Sequence, residues 1–69
     1  MTGLKKRSFS IASHRTSIAL EEEFWIALQQ EARQEGISLA ALIARIDAGR
    51  QSRNLASALR VHVLARAQG

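Results

Sequence analysis

Residues 14–35 read HRTSIALEEEFWIALQQEARQE, and the periodicity of this stretch changes once, from that of a strand to that of a helix. Over residues 14–20 polar and apolar side chains alternate, which is the pattern of a half-buried strand. One face of that strand holds Thr16, Ile18 and Leu20. The opposite face holds Arg15, Ser17 and Ala19. Because successive side chains of a strand point to opposite faces, the apolar set predicts the side that meets a core.

Three amphipathic helices are predicted after this strand. The first spans 21–35, because three successive glutamates suit a helix N-terminus and apolar residues then recur at helical spacing. Gly36 suits the position just after its end, where a left-handed backbone is common. Ser38 is a good N-cap for a second helix over 38–48. A polar, glycine-containing connection separates that helix from a third over about 54–67.

The residues before the strand give a less definite pattern. Residues 1–7 read MTGLKKR and predict a mobile basic arm, so a single domain is expected to cover 8–67. Phe9 and Ile11 either extend the strand or form a separate extended piece that folds back over the core. The chain is therefore predicted to be mostly α-helical with one β-strand.

A single strand cannot satisfy its own backbone hydrogen bonds, and no second stretch of the chain alternates as clearly. A second copy can supply the partner, because a two-fold dimer pairs the strand antiparallel with itself. We therefore predict a homodimer with a two-stranded ribbon over helices of both chains. Its core is expected to consist of apolar residues of the strand and the first two helices: Ile18, Leu20, Phe24, Trp25, Leu28, Leu39, Leu42, Ile43 and Ile46.

The composition and charge of the chain limit the classes of function to be expected. The chain has 69 residues, no cysteine and a formal net charge of +4, so one small domain without disulfides or thiolate metal sites is expected. No nucleophile–base set, phosphate-cradling glycine loop or metal-ligand spacing occurs, and we predict no enzyme activity, catalytic residue, metal or cofactor. The positive charge favours a polyanionic partner, nucleic acid ahead of a membrane. Without a recognisable secretion signal or membrane span, a cytoplasmic location is expected.

The order of these motifs resembles the ribbon-helix-helix domain of the Arc/MetJ type. HRTSIAL followed by EEEFWIAL, then EGISLAALIARID, then RNLASALRVHVL, is similar to a subgroup of short bacterial members with a third helix. The resemblance covers residues 7–66, and one departure is Glu22, where that subgroup often has proline. It implies an intertwined homodimer that inserts its antiparallel ribbon into the DNA major groove, as a transcriptional regulator does.

The resemblance also implies which residues touch DNA. Outward side chains of the strand read base edges in such proteins, and these correspond to Arg15, Ser17 and Ala19. The backbone around Ser38 and Leu39 corresponds to the helix N-terminus that clasps a phosphate. Independently of the resemblance, a basic arm can lie along phosphates, and its cationic residues are Lys5, Lys6 and Arg7.

An alternative function belongs to another class. The minimal ribbon-helix-helix fold has two helices, and the predicted third helix has a broad apolar face that includes Leu55, Leu59 and Leu64. This helix either completes the core or binds a protein partner. In the second case the chain is a dimeric protein-interaction module, such as an adaptor or an antitoxin.

Overall fold

The computed structural model describes residues 3–69 and contains a two-stranded antiparallel ribbon followed by three helices. The elements in chain order are β1 (Leu4–Ile11), β2 (His14–Glu21), α1 (Glu22–Glu35), α2 (Leu39–Ala48) and α3 (Leu55–Gln68). This confirms the predicted architecture of a ribbon, two helices and an extra C-terminal helix. No helix within the described range is long and apolar enough to cross a membrane.

The ribbon is a hairpin within one chain. β1 and β2 pair over their full lengths, with Leu4 opposite Glu21 and Ile11 opposite His14. The turn consists of Ala12 and Ser13, whose φ angles of 52° and 68° are both positive. Positive φ at both central residues defines the two-residue hairpin turn whose twist matches that of the flanking strands.

The prediction of one strand per chain, paired only with a second copy, is therefore wrong, because β1 supplies the partner. Residues 4–7, predicted as part of a mobile arm, form the first half of β1, whereas Met1 and Thr2 lie outside the described residues. Of the two alternatives for Phe9 and Ile11, the structure has the separate extended piece that folds back. The sequence pattern hides this strand because its core-side positions 5 and 7 are basic.

The core lies between one side of the ribbon and the three helices. Its buried apolar residues are Ile11, Ile18, Leu20, Trp25, Leu28, Ala32, Leu39, Leu42, Ile43, Ala58 and Leu59. Of the residues predicted for a dimer core, Phe24 and Ile46 are partly buried and the others are buried, all within one chain. Their burial therefore does not require a second copy.

The helix ends follow from local chemistry. Ser38 Oγ accepts a hydrogen bond from the Ala41 N–H at 3.0 Å and caps α2. Asn54 Oδ1 accepts one from the Ser57 N–H at 2.8 Å and caps α3. Gly36 ends α1 in the left-handed conformation, with φ of 70°, where a residue without Cβ is favoured.

Candidate nucleic-acid interface

One side of the ribbon is turned away from the core. Ile18 and Leu20 of β2 are buried against the helices, so the alternate residues of that strand point outward. The strand register extends this assignment to β1, because residues that are directly opposite each other share a side of the ribbon. The same alternation continues to Leu4 and Glu21 at the end of the ribbon. We call the rest of the outward set the ribbon face; it consists of Lys6, Ser8, Ser10, Arg15, Ser17 and Ala19.

The ribbon face carries two cations, and the carboxylate that adjoins it on the outward side, that of Glu21, pairs with Arg60 of α3. Lys6 lies opposite Ala19, and Ser10 lies opposite Arg15, so the two cations are on different strands and near different ends. Between them the Oγ atoms of Ser8 and Ser17 are 3.0 Å apart and form a cross-strand hydrogen bond. The result is a shallow hydroxyl-lined surface with a positive side chain toward each end.

The structure brings the three residues implied as base readers together. Arg15 and Ser17 are exposed on the ribbon face, and Ala19 is half-buried beside them. Their shared face follows from the strand periodicity from which it was predicted.

The three basic residues predicted as phosphate contacts do not lie on one side of the ribbon. Lys6 belongs to the ribbon face, but Lys5 and Arg7 share the core side of the ribbon. The Arg7 guanidinium lies 5.5 Å from the centre of the Trp25 ring, and Lys5 Nζ lies 3.5 Å from a carboxylate oxygen of Glu22. Both charges are thus engaged with α1, which leaves Lys6 as the cation of β1 that projects outward.

The N-terminus of α2 was the other implied phosphate contact. The Ser38 hydroxyl is engaged in the helix cap, and the Leu39 side chain is buried. A phosphate at this end would therefore meet backbone N–H groups rather than these side chains. The sequence places the cap correctly, and the structure adds that α2 packs against β1.

A buried carboxylate that sequence reasoning missed fixes α3 to α1. Glu31 is 4% exposed, and both its carboxylate oxygens lie 2.9 Å from His62 Nε2, while Arg66 Nε is 3.5 Å from one of them. Arg60 Nε of α3 also donates to Oε1 of Glu21, the last residue of β2, at 3.1 Å. A glutamate in the buried stripe of α1, together with a histidine in the stripe of α3, was the available signal. Buried carboxylates need such partners because desolvation penalises an unpaired charge.

The ion pair between α1 and α2 gives a pH-dependent prediction. A hydrogen bond from Arg45 is the largest influence on Glu35 and holds the pKa of that carboxyl below its ordinary value. A lowered folded-state pKa contributes stability that is present above the unfolded-state pKa and is lost as pH falls through the folded-state value. We expect Arg45→Ala to raise the pKa of Glu35 toward the ordinary value, as measured by NMR titration of the side-chain carboxyl.

Glu21 is the internal control for that titration. Its pKa is also lowered, first by a hydrogen bond to its own backbone and then by Arg60, so Arg45 has no part in it. The pKa of Glu21 should be the same in the parent and in the Arg45→Ala variant. An unchanged pKa of Glu35 in that variant would show that the ion pair does not form in solution.

Comparison with known proteins identifies the fold family. The ribbon-helix-helix domain family matches residues 4–67, a range that includes both strands and all but the end of α3. No curated protein and no solved structure matches the chain. Ribbon-helix-helix domains are DNA-binding regulatory domains that generally dimerise. On the strength of the family match and of the ribbon followed by helices, the chain belongs to the ribbon-helix-helix domain family.

Proposed function

We propose that the chain is a DNA-binding transcriptional regulator that acts as a homodimer and places its ribbon in the major groove. The observation that carries this proposal is the ribbon face, part of the exposed side of a two-stranded ribbon, with two cations and three hydroxyls; the adjoining carboxylate, Glu21, is paired with Arg60. The major groove of DNA, about 12 Å wide, admits a two-stranded ribbon. The family supports DNA binding in general, and the net charge of +4 favours approach to a polyanion.

The side chains of β2 have distinct tasks in this proposal. The Arg15 guanidinium has the geometry to donate two hydrogen bonds to one guanine edge. The Ser17 hydroxyl can donate or accept, and the Ala19 methyl group can contact a thymine methyl. Backbone N–H groups at Ser38 and Leu39 would bind a phosphate and set the position of the ribbon.

The dimer is proposed on different grounds from those given by the sequence, because the strand already has its partner. The family generally dimerises, and the large apolar side chains of Ile26 and Val61, which are 50% and 43% exposed, are available to a second copy. The partly buried Phe24 and Ile46 are the members of the predicted dimer core that have apolar surface left to bury.

Light scattering on the eluting peak of a size-exclusion column, followed by DNA binding of the same sample, tests this function. We expect the mass of two chains and an affinity for duplex DNA that falls steeply with salt. A monomer at all concentrations would contradict the dimer. A dimer without affinity for any duplex at low salt would contradict DNA binding.

Arg15→Ala is expected to relax the base preference at one position of the target site. Losing a bidentate contact to guanine should cost about 1–3 kcal/mol in binding free energy at that position and little elsewhere. Competition between single-base variants of a duplex that the parent chain selects from a random pool measures this loss. Arg33→Ala, which removes the same charge from an exposed position on α1, is the control. Equal base preference in the parent and the Arg15→Ala variant would show that Arg15 does not read a base.

A groove beside α3 favours protein binding as a second candidate function. It has a volume of about 660 Å³ and lies between the end of α2, the connection to α3 and α3 itself. Arg45, Arg50 and Arg53 line it together with apolar residues that include Val61, which is 43% exposed. A basic rim over an apolar floor suits an acidic segment with apolar side chains. Arg45 pairs with Glu35 and Arg50 pairs with Asp47. These ion pairs weaken the electrostatic attraction of the groove for an acidic partner.

A further inference from the structure

We propose that β1 supplies half of the DNA-contact surface, so that Lys6, Ser8 and Ser10 bind DNA together with the residues of β2. This inference rests on the proposed DNA-binding function and assigns its contacts. The resemblance implied contacts from β2 and, in the dimer, from a second copy of β2. The hairpin instead places two different strands of one chain side by side on the ribbon face.

The two cations of the ribbon face lie on different strands and at different points along the ribbon. Ser10, the residue opposite Arg15, is four positions after Lys6 in the same strand. At a rise of about 3.4 Å per residue, the Cα atoms of Lys6 and Arg15 are therefore about 14 Å apart along and across the ribbon. A two-stranded ribbon fits a major groove about 12 Å wide only with its strands along the groove, so this separation runs along the groove. Because Lys6 and Arg15 are on different strands, their long side chains face opposite walls of the groove, Lys6 toward phosphate and Arg15 toward phosphate or a guanine edge.

The three serines carry the remaining polar side chains of the ribbon face, with Ser8 and Ser17 between the two cations and Ser10 opposite Arg15. Each hydroxyl has one donor and two acceptor sites, so the Ser8–Ser17 hydrogen bond leaves one of their two hydroxyl donors, and most of the acceptor sites, for a ligand. Ser10 and Ser17 flank the Arg15 side chain across and along the ribbon. Because all these side chains except the two cations are short, the ribbon backbone can come close to base edges.

The contacts of Lys5 and Arg7 with α1 distinguish these two residues from Lys6. The Lys5 carbonyl accepts a hydrogen bond from Trp25 Nε1 at 2.8 Å, which fixes the start of β1 to α1. Its ammonium group faces Glu22, and the Arg7 guanidinium covers the Trp25 ring. Of three consecutive basic residues, only Lys6 therefore projects from the ribbon face. We therefore expect Lys6 to contribute to DNA binding and the adjacent Lys5 not to contribute.

The pairing of unlike strands has a consequence for the target. A ribbon made from two copies of β2 would present the same residues twice and would read a sequence with internal two-fold symmetry. A hairpin presents Lys6, Ser8 and Ser10 on one side and the β2 residues on the other. The segment that one hairpin covers therefore has no internal two-fold symmetry. In a dimer, two such segments would make up the whole site.

The test uses the full chain and a duplex selected by it from a random pool, with binding followed by fluorescence anisotropy over a range of salt. We expect Lys6→Ala to reduce the slope of log affinity against log salt by about one and Lys5→Ala to leave that slope unchanged. We expect Ser8→Ala and Ser10→Ala each to weaken binding to the selected duplex by roughly threefold to tenfold. Ser52→Ala, in the exposed connection before α3, is the matched control and should bind as the parent does.

Equal losses for Lys5→Ala and Lys6→Ala would overturn the inference. So would parent-like binding by Ser8→Ala and Ser10→Ala when Arg15→Ala and Ser17→Ala lose affinity, because β2 alone would then read DNA and the proposed function would stand. If the parent binds no duplex even at low salt, the proposed function fails and this assignment fails with it. Circular dichroism and thermal unfolding of every variant separate a lost contact from a lost fold.

Discussion

Trp25→Ala is expected to lower the free energy of unfolding by about 3–5 kcal/mol, the range for truncating a large buried aromatic residue. Trp25 is 3% exposed, and its ring centre lies 5.8 Å from that of Phe9 in β1. Its Nε1 also donates to the Lys5 carbonyl, and Arg7 covers the ring. The side chain thus holds β1 to α1 at three points. Urea unfolding followed by circular dichroism measures the loss, since the variant has no tryptophan left as a fluorescent probe.

Trp25→Phe separates the packing of the ring from its hydrogen bond. A phenyl ring keeps the contact with Phe9 but cannot donate to the Lys5 carbonyl, so we expect a loss of about 1 kcal/mol. Hydrogen exchange should show that β1 amides lose protection in the alanine variant and keep it in the phenylalanine variant. Equal stability of the alanine variant and the parent would contradict the attachment of β1 through Trp25.

Leu59→Ala is expected to lower the free energy of unfolding by about 2–5 kcal/mol, as for other buried leucines replaced by alanine. Leu59 is fully buried, and α3 packs against α1, α2 and β2. An alanine there leaves a cavity where the third helix meets the rest of the core. A small domain has a total stability of the same order, so a large part of the population should unfold at physiological temperature. Urea unfolding at several temperatures measures this effect.

Leu64→Ala is the matched control, because it makes the same chemical change in the same helix at a position that is 56% exposed. We expect this variant to stay within about 0.5 kcal/mol of the parent, as surface substitutions usually do. If Leu59→Ala behaves like Leu64→Ala, the third helix is not part of the core. A large effect at Leu59 alone supports a structural role for α3, whatever it binds.

The extent to which the sequence predicts the fold depends on how clearly each element shows its apolar face. The core-facing side of β2 holds Thr16, Ile18 and Leu20, so its apolar face is visible in the sequence. The helices likewise have glycine, serine or asparagine at their ends. β1 has Lys5 and Arg7 at core-facing positions. Their partners there are Glu22 and Trp25, which are distant in the chain and cannot be identified from a local pattern. The turn is equally hidden, since Ala12 and Ser13 are not typical of positive φ.

The sequence predicts the part of the candidate site that lies on β2 but not the part that lies on β1. Arg15, Ser17 and Ala19 share a face because side chains alternate along a strand, and that rule needs only the sequence. The direction in which Lys6 points depends on the register between β1 and β2, which no local pattern gives. The partners of Glu31 likewise come from α3, so only tertiary packing explains a carboxylate in the buried stripe of α1.

The chemical shifts of backbone amides during titration with a short duplex at low salt test most directly whether the ribbon face contacts DNA. We predict that the perturbed amides concentrate in β1 and β2, with the largest changes at Lys6, Ser8, Ser10, Arg15 and Ser17. Smaller changes are expected at the start of α2. Perturbations confined to α3 and the groove beside it, or a spectrum that does not change with DNA, would contradict the proposal that the ribbon face contacts DNA.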